Sequence, residues 1–203
     1  MIDIRNYDIV YLHGPHRPER REHMEEMLKK VGLQGECHVG YCDKGRQSGV
    51  LGLIDIFKKR LEGEFKPFIY LEDDCNTTPW FRYCIDIPED ADSVYLGISK
   101  WSMHPHYDKA IIAYQGGCLN QYQDVVKLVN MLSNHAILFI TREWTESCLN
   151  SYKKTATLVS PDSYDILQSR LMPSFNVYAL KKPLFYQDAK LGGQEEPTLI
   201  QFA

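Results

Sequence analysis

No stretch of about 20 residues is apolar enough to cross a membrane, and the opening Met1-Ile2-Asp3-Ile4-Arg5-Asn6 lacks the apolar run of a secretory signal. Both absences lead to the expectation of a cytoplasmic protein without an integral membrane segment. The six cysteines, at 37, 42, 75, 84, 118 and 148, include no pair with the two-residue spacing of a zinc knuckle or a thioredoxin-like motif. Free thiols in a reducing compartment are therefore expected. A Walker-type Gly-rich phosphate loop is also missing, as are internal repeats and low-complexity tracts. Positive charge is in short supply: 23 Lys and Arg stand against 27 Asp and Glu, for a net charge of −4 and a pI near 6.0. That balance gives no global attraction to nucleic acid or anionic membrane, although Lys58-Lys59-Arg60, Lys153-Lys154 and Lys181-Lys182 form local basic clusters.

What is present suits a single soluble domain. The chain of 203 residues is 44% apolar and 25% charged, and it is long enough to bury a substantial core. Aromatics reach 12%, with 13 tyrosines, which pack like other aromatics and also offer a hydroxyl for sugar or base recognition.

Hydrophobic period gives an alternation of strand and helix in the first half. Tyr7 to Leu12 reads as a buried strand. Pro18 to Gly32 reads as a helix, with Pro18 in its first turn, Glu19 at its positive end and Met24, Met27, Leu28 and Val31 at helical spacing. Glu36 to Tyr41 reads as a second strand. Ser48 is placed to cap a helix through Leu53, Ile54, Phe57 and Leu61, and Phe68 to Leu71 follows as the central strand. This βαβαβ order predicts an α/β fold, a Rossmann-like domain whose mainly parallel sheet is flanked by helices. Ligands in such folds collect beyond the carboxyl ends of the strands. In the second half, Ser93 to Gly97 and Ala136 to Ile140 read as strands, with a loop carrying Trp101, His104 and His106 after the first. Asp124 to Met131 reads as a helix or an irregular crossover. Glu143 to Tyr152 reads as a helix, and Pro161-Asp162 opens another through Leu171. Phe175 to Leu180 is the last strand, and a mobile tail is expected from Asp188.

Phe68-Ile69-Tyr70-Leu71 runs without a turn residue into Glu72-Asp73-Asp74-Cys75. Side chains alternate along a strand, so Glu72 and Asp74 share one side and Asp73 takes the other. Three like charges at the mouth of a buried strand need compensation by solvent or a cation. Hard oxygen donors at this density suit Mg2+ or Mn2+, ions that commonly hold nucleotide phosphates. The plainer reading is an acidic cap on a strand-to-loop turn.

Several segments in order carry a resemblance. They are Val10-Tyr11-Leu12-His13-Gly14 followed by Arg17-Pro18-Glu19-Arg20-Arg21-Glu22-His23-Met24; then Leu71-Glu72-Asp73-Asp74, Tyr95-Leu96-Gly97 and Asn134-His135-Ala136-Ile137-Leu138-Phe139-Ile140. Pro161-Asp162, and Val177-Tyr178-Ala179 through Pro183-Leu184-Phe185-Tyr186-Gln187, complete the set. Together they resemble the family 25 glycosyltransferases, which include lipooligosaccharide and collagen galactosyltransferases. The resemblance spans residues 7 to 188, which sets an expected domain of 1–188 and a tail of 189–203. It departs from the family at Gly49-Val50-Leu51-Gly52-Leu53-Ile54, which lacks the usual Ser-His pair, and at Tyr11, where the family has Asn.

The resemblance implies a GT-A fold and a metal-dependent, inverting transfer of a sugar from a nucleotide-diphosphate donor to an acceptor hydroxyl. On that reading Asp74 and Glu72 hold Mn2+ or Mg2+. Leu12, Arg17, Arg21, Asp73, His135 and Gln187 attend the donor, and Arg20 is placed to contact its base or phosphates. Asp162 is the general base, with Asp165 in reserve. Plain structure competes for each: a solvated helix start for Arg20 and Arg21, a dipole-favoured carboxylate for Asp162 or Asp165, a core imidazole for His135. The acceptor is a saccharide, a protein or a modified nucleic-acid base, and the net charge weighs against long DNA. Two other functions use the same features: a nucleotidyl or phosphoryl transferase with the same carboxylate site, and a non-catalytic nucleotide-sugar-binding domain.

Overall fold

The computed structural model describes residues 1–43, 47–98, 124–129, 131–132, 134–157 and 164–192. A short strand β1 (Ile2–Asp3) and a 3-10 turn (Ile4–Asn6) lead into β2 (Asp8–His13). Helix α1 (Pro18–Lys30), β3 (Glu36–Val39), α2 (Gln47–Leu61) and β4 (Phe68–Glu72) follow, in the order and nearly at the bounds that the hydrophobic period predicts. Short strands β5 (Cys75–Thr77), β6 (Cys84–Ile85), β7 (Ser93–Tyr95) and β8 (Val125–Lys127) precede β9 (Ala136–Phe139). The described chain ends with α3 (Arg142–Thr157), α4 (Tyr164–Ser169), β10 (Val177–Leu180) and β11 (Phe185–Gln187).

The central sheet has the order β3-β2-β4-β9-β7-β10-β8. β2 pairs in parallel with both β3 and β4, as the two crossover helices require, and β10 pairs in parallel with β7. β9 inserts antiparallel between β4 and β7, and β8 lies antiparallel on β10. The protein is thus mixed α/β, with a large, mostly parallel sheet flanked by helices. Asp124 to Met131, expected as a helix or crossover, holds a strand instead. Val125 and Val126 are fully buried, and β-branched side chains pack well on a pleated surface. The expected tail from Asp188 begins as ordered structure. Asp188 caps a 3-10 turn (Ala189–Leu191) whose last carbonyl is held by Arg17 and Arg20.

Alternation along the central strands builds a core on each face. Val10, Phe68, Tyr70, Ile137 and Phe139 meet α2 and α3 on one side through Leu53, Phe57, Trp144 and Tyr152. Ile9, Tyr11, Ile69, Leu71 and Leu138 meet α1 on the other through Met24, Met27 and Leu28. Phe57 sits edge-on to Phe68, Phe139 and Tyr152, with centroids 4.8–5.7 Å apart, which ties α2 and α3 to the middle of the sheet. Gly52 lets α2 approach closely, since a Cβ there would lie 2.5 Å from Leu12 Cδ1. The five described cysteines form no disulfide, and no helix among the described residues is long and apolar enough to cross a membrane.

Candidate functional site

β2, β3 and β4 run in parallel and finish level with one another, so their last residues share one rim of the sheet. Leu12 and His13 from β2, Gly40 and Tyr41 after β3, and Tyr70 and Glu72 from β4 line a cavity of about 230 Å³ there. Ser48 and Gly49, in the first turn of α2, and Tyr164, at the start of α4, close it from the helical side. A larger, open groove of about 550 Å³ lies at the amino ends of β2 and β3, lined by Arg5, Tyr7, Glu36 and Arg60. Its cations are already engaged, Arg5 by Asp3 and Arg60 by Asp8 and Glu36. In parallel α/β sheets the carboxyl ends are where ligands bind, which makes the smaller cavity the candidate site.

Glu72 ends β4, Asp73 and Asp74 form the turn after it, and all three carboxylates line the cavity. Gln187 Nε2 donates to Glu72 Oε2 at 3.0 Å and to Asp74 Oδ1 at 3.4 Å, so one amide joins the two carboxylates. Tyr164 donates its hydroxyl to Glu72 Oε1 at 3.0 Å. Asp73 turns to the β2–α1 loop instead. It accepts from the Gly14 N–H at 2.8 Å and from Arg20 Nη1 at 2.7 Å, with His13 Nδ1 3.0 Å from its second oxygen. Asp73 is thereby tied to protein groups, and its task is to hold the loop after β2 against β4.

The electrostatics follow from this division. Burial first, and then the facing Asp74 carboxylate, push Glu72 up to about 8, while the Tyr164 hydrogen bond pulls the other way. Asp74 is also raised, chiefly by burial, with Arg20 and Gln187 opposing. Arg20 Nη1 is 3.5 Å from Asp74 Oδ2, but its strongest contacts are Asp73 and the Leu191 carbonyl.

For a metal, the donor set is two hard oxygen ligands on one side of the strand end. Among the described residues no group of three or more His, Cys, Asp or Glu converges as a metal cage. Mg2+-type ions are often bound by only one or two carboxylates, with substrate phosphates and water completing the shell. Glu72 and Asp74 fit an ion of that kind.

Two distant contacts position the cavity wall. Gln168 on α4 is fully buried, accepts from the Tyr152 hydroxyl of α3 and donates to the Tyr95 hydroxyl of β7 at 2.8 Å. This polar anchor places Tyr164, one helical turn earlier, over Glu72. β11 pairs antiparallel with β5, which sets Gln187 opposite Cys75 and so beside Asp74.

The remaining expected site residues scatter. Leu12 lines the cavity. Asp165 follows Tyr164 at the start of α4, close enough for its charge to add to the upward push on Glu72. Arg17 donates to the Leu191 carbonyl at 3.1 Å. Arg21 is exposed and paired with Glu25 at 2.9 Å, because one step along α1 turns it about 100° from Arg20. His135 is fully buried just before β9 and lies outside the cavity lining. Its backbone carbonyl accepts from Glu72 N–H at 2.9 Å and from the Cys75 thiol at 2.8 Å. Its ring occupies the space a Cβ would need at Gly97. Burial pulls this imidazole down to about 4, which keeps it neutral. Asp162, Trp101, His104 and His106 lie outside the described residues.

No family model and no curated protein matches the sequence. Among solved structures, a glycosyltransferase involved in the glycosylation of the major capsid of PBCV-1 is similar at a TM-score of 0.49 and 11% identity, over 89% of this chain and 93% of that one. A nucleoside-diphosphate-sugar pyrophosphorylase from Vibrio cholerae RC9 is similar at a TM-score of 0.46 and 10% identity, over 86% and 73% of the two chains. An inositol-1-phosphate CTP transferase from T. maritima follows at 0.42 and 13%, over 88% and 69%. Likenesses at these scores assign neither a family nor an activity to this chain.

Tyr164, Tyr70, His13 and Tyr41 belong to the site and were not singled out from the sequence. Tyr70 carried a signal, since it stands two residues before Glu72 and so shares its face. His13 is the last residue of β2, and Tyr41 stands two residues after the end of β3. Tyr164 had none, because its contact with Glu72 joins positions 92 apart in the chain.

Proposed function

We propose that the protein is a glycosyltransferase that moves a sugar from a nucleotide-diphosphate donor to an acceptor hydroxyl, with Mn2+ or Mg2+ held between Asp74 and Glu72. The observation that carries this reading is the pair of carboxylates joined by the Gln187 amide at the rim of a cavity on the carboxyl ends of β2, β3 and β4. The ordered series of motifs from residue 7 to 188 supports the same reading. Glu72 and Asp74 would hold that ion, which would supply the positive charge that a leaving diphosphate needs. Gln187 and Tyr164 hold Glu72 in place, and Arg20 with Asp73 fixes the loop after β2 that forms the opposite wall. In the transfer the acceptor oxygen bonds to the anomeric carbon, the bond to the diphosphate breaks, and the acceptor proton passes to a carboxylate. Asp162 is that base in our reading, with Asp165 the alternative, and the motif resemblance implies inversion at the anomeric carbon.

The test is thermal melting with a panel of nucleotide sugars, with and without Mn2+, on the wild type and on Asp74→Ala. The wild type should be stabilised by a nucleotide sugar only when Mn2+ is present. Asp74→Ala should fold, because it removes a like charge beside Glu72, and should lose the metal-dependent shift. Metal-dependent binding that survives in the variant sinks the assignment of Asp74. Product analysis then identifies the reaction, since sugar transfer releases a nucleoside diphosphate whereas nucleotidyl transfer releases pyrophosphate.

A further inference from the structure

The Tyr70 side chain poses a question that the carboxylate pair does not answer. Tyr70 is 1% exposed in the middle of the sheet, and its hydroxyl finds no hydrogen-bonding partner among the described residues. Buried polar groups almost always have a partner, and one left without costs stability. Yet Tyr70 lines the candidate cavity and lies on the same face of β4 as Glu72, two residues deeper. Tyr70 is therefore part of the floor of the cavity, below the carboxylates at the rim, and its hydroxyl is closed off from solvent when the cavity is empty.

The surroundings decide what the missing partner is. Among the described residues, the ionisable groups that bear most on the Tyr70 hydroxyl are Glu72, Tyr164, Tyr152 and Cys75, none of them cationic. Among the described residues that line the cavity, Arg20 is committed to Asp73, Asp74 and the Leu191 carbonyl, and His13 to Asp73. Among the described residues, a phosphate beside the Tyr70 hydroxyl would meet Glu72, Tyr164, Tyr152 and Cys75, none of them cationic, so it belongs at the rim with the carboxylates and an ion. A neutral group with a carbonyl, ring nitrogen or hydroxyl would meet no such repulsion. The walls suit a flat ring: Leu12 and Gly49 are apolar, and Tyr41 gives its hydroxyl to Asp55 at 2.6 Å, which leaves its ring for the cavity. A tyrosyl hydroxyl can both donate and accept a hydrogen bond.

We infer that the Tyr70 hydroxyl is a specificity-determining group that hydrogen-bonds the neutral nucleoside part of the bound ligand at the floor of the cavity. The inference rests on the donor-site reading above and adds which end of the ligand enters first. The diphosphate stays at the rim near Glu72 and Asp74, and the nucleoside is read below it.

Tyr70→Phe removes the hydroxyl and little else. Without ligand the variant should melt at the wild-type temperature or higher, because the lost group had no partner. The probes are the four nucleoside diphosphates and inorganic pyrophosphate, each titrated with Mn2+ into wild type and variant. The best nucleoside diphosphate should bind the variant about threefold to tenfold more weakly, and discrimination among the four should shrink, while pyrophosphate binds both proteins equally. Equal nucleoside diphosphate affinity in both proteins overturns the role of Tyr70 and leaves the donor-site reading standing. An equal loss for pyrophosphate, or a variant that melts several degrees lower without ligand, also overturns it, because the hydroxyl then supports the fold. A wild type that binds none of the nucleotides overturns the donor-site reading and this assignment together.

Discussion

At the acidic triplet, neighbouring carboxylates are assigned to different work by the end of the strand and the turn after it. Asp73 is consumed by Arg20, His13 and the Gly14 N–H, whereas Glu72 and Asp74 share one amide and face the cavity rim. A base that takes the acceptor proton must act in the transition state, so its loss should lower turnover far more than donor affinity. Asp162→Asn keeps size and hydrogen bonding while removing basicity. It should preserve nucleotide-sugar binding and lower transfer by about a hundredfold or more. Steady-state turnover beside a donor titration checks this. If transfer survives within a few-fold, Asp162 is a helix-start carboxylate, and Asp165, adjacent to the Glu72-bound Tyr164, is the position to test.

Among the elements, α4 matters most for the site relative to its length. Six residues make a helix with little stability of its own, so its place depends on Gln168 reaching into the core between Tyr152 and Tyr95. Gln168→Ala removes the amide that both tyrosyl hydroxyls use and leaves a void at a fully buried position. A loss of about 2–4 kcal/mol in chemical denaturation is expected. Because Tyr164 sits one turn away, the same variant should also weaken ligand binding at a cavity it does not touch. A variant with lowered stability but undiminished binding would show that Tyr164 reaches Glu72 without this anchor.

Across the whole molecule, stability resides in the central sheet and its two cores, and the surface charges decorate it. Glu36 on the edge strand β3 pairs with Lys59 and Arg60 on α2. The Lys59 hydrogen bond, first among the causes, lowers its carboxyl below the ordinary value of 4.5. A depressed carboxylate contributes stability that is present above about pH 4.5 and is lost as pH falls through its folded value. Because Glu36 is exposed, the effect should stay under about 1 kcal/mol. Glu36→Gln should therefore fold normally and lose slightly less stability than the wild type between about pH 5 and 3 in urea titrations. A much larger difference would mean that the sheet edge depends on this pair.

The sequence by itself determined the first half of the molecule. Alternation in β2 and β4, helical spacing in α1 and α2, and the βαβαβ order are local patterns, and a crossover helix between strands forces them parallel. The end of β4 announced its carboxylates in the same way, while the turn at Asp73 and Asp74 set which partners each of them meets. Only the tertiary structure decided the rest. That β9 lies between β4 and β7, and that Val125-Val126 forms a strand on β10, depends on which buried surfaces meet, and hydrophobic period does not record this. The same holds for the site. Arg20 rather than Arg21 reaches Asp73 because of the phase at which α1 packs on the sheet. Gln187 meets Glu72 from 115 residues away because β11 pairs with β5. Periodicity along a chain states which face of an element is buried; what that face meets is settled by packing between segments far apart in sequence.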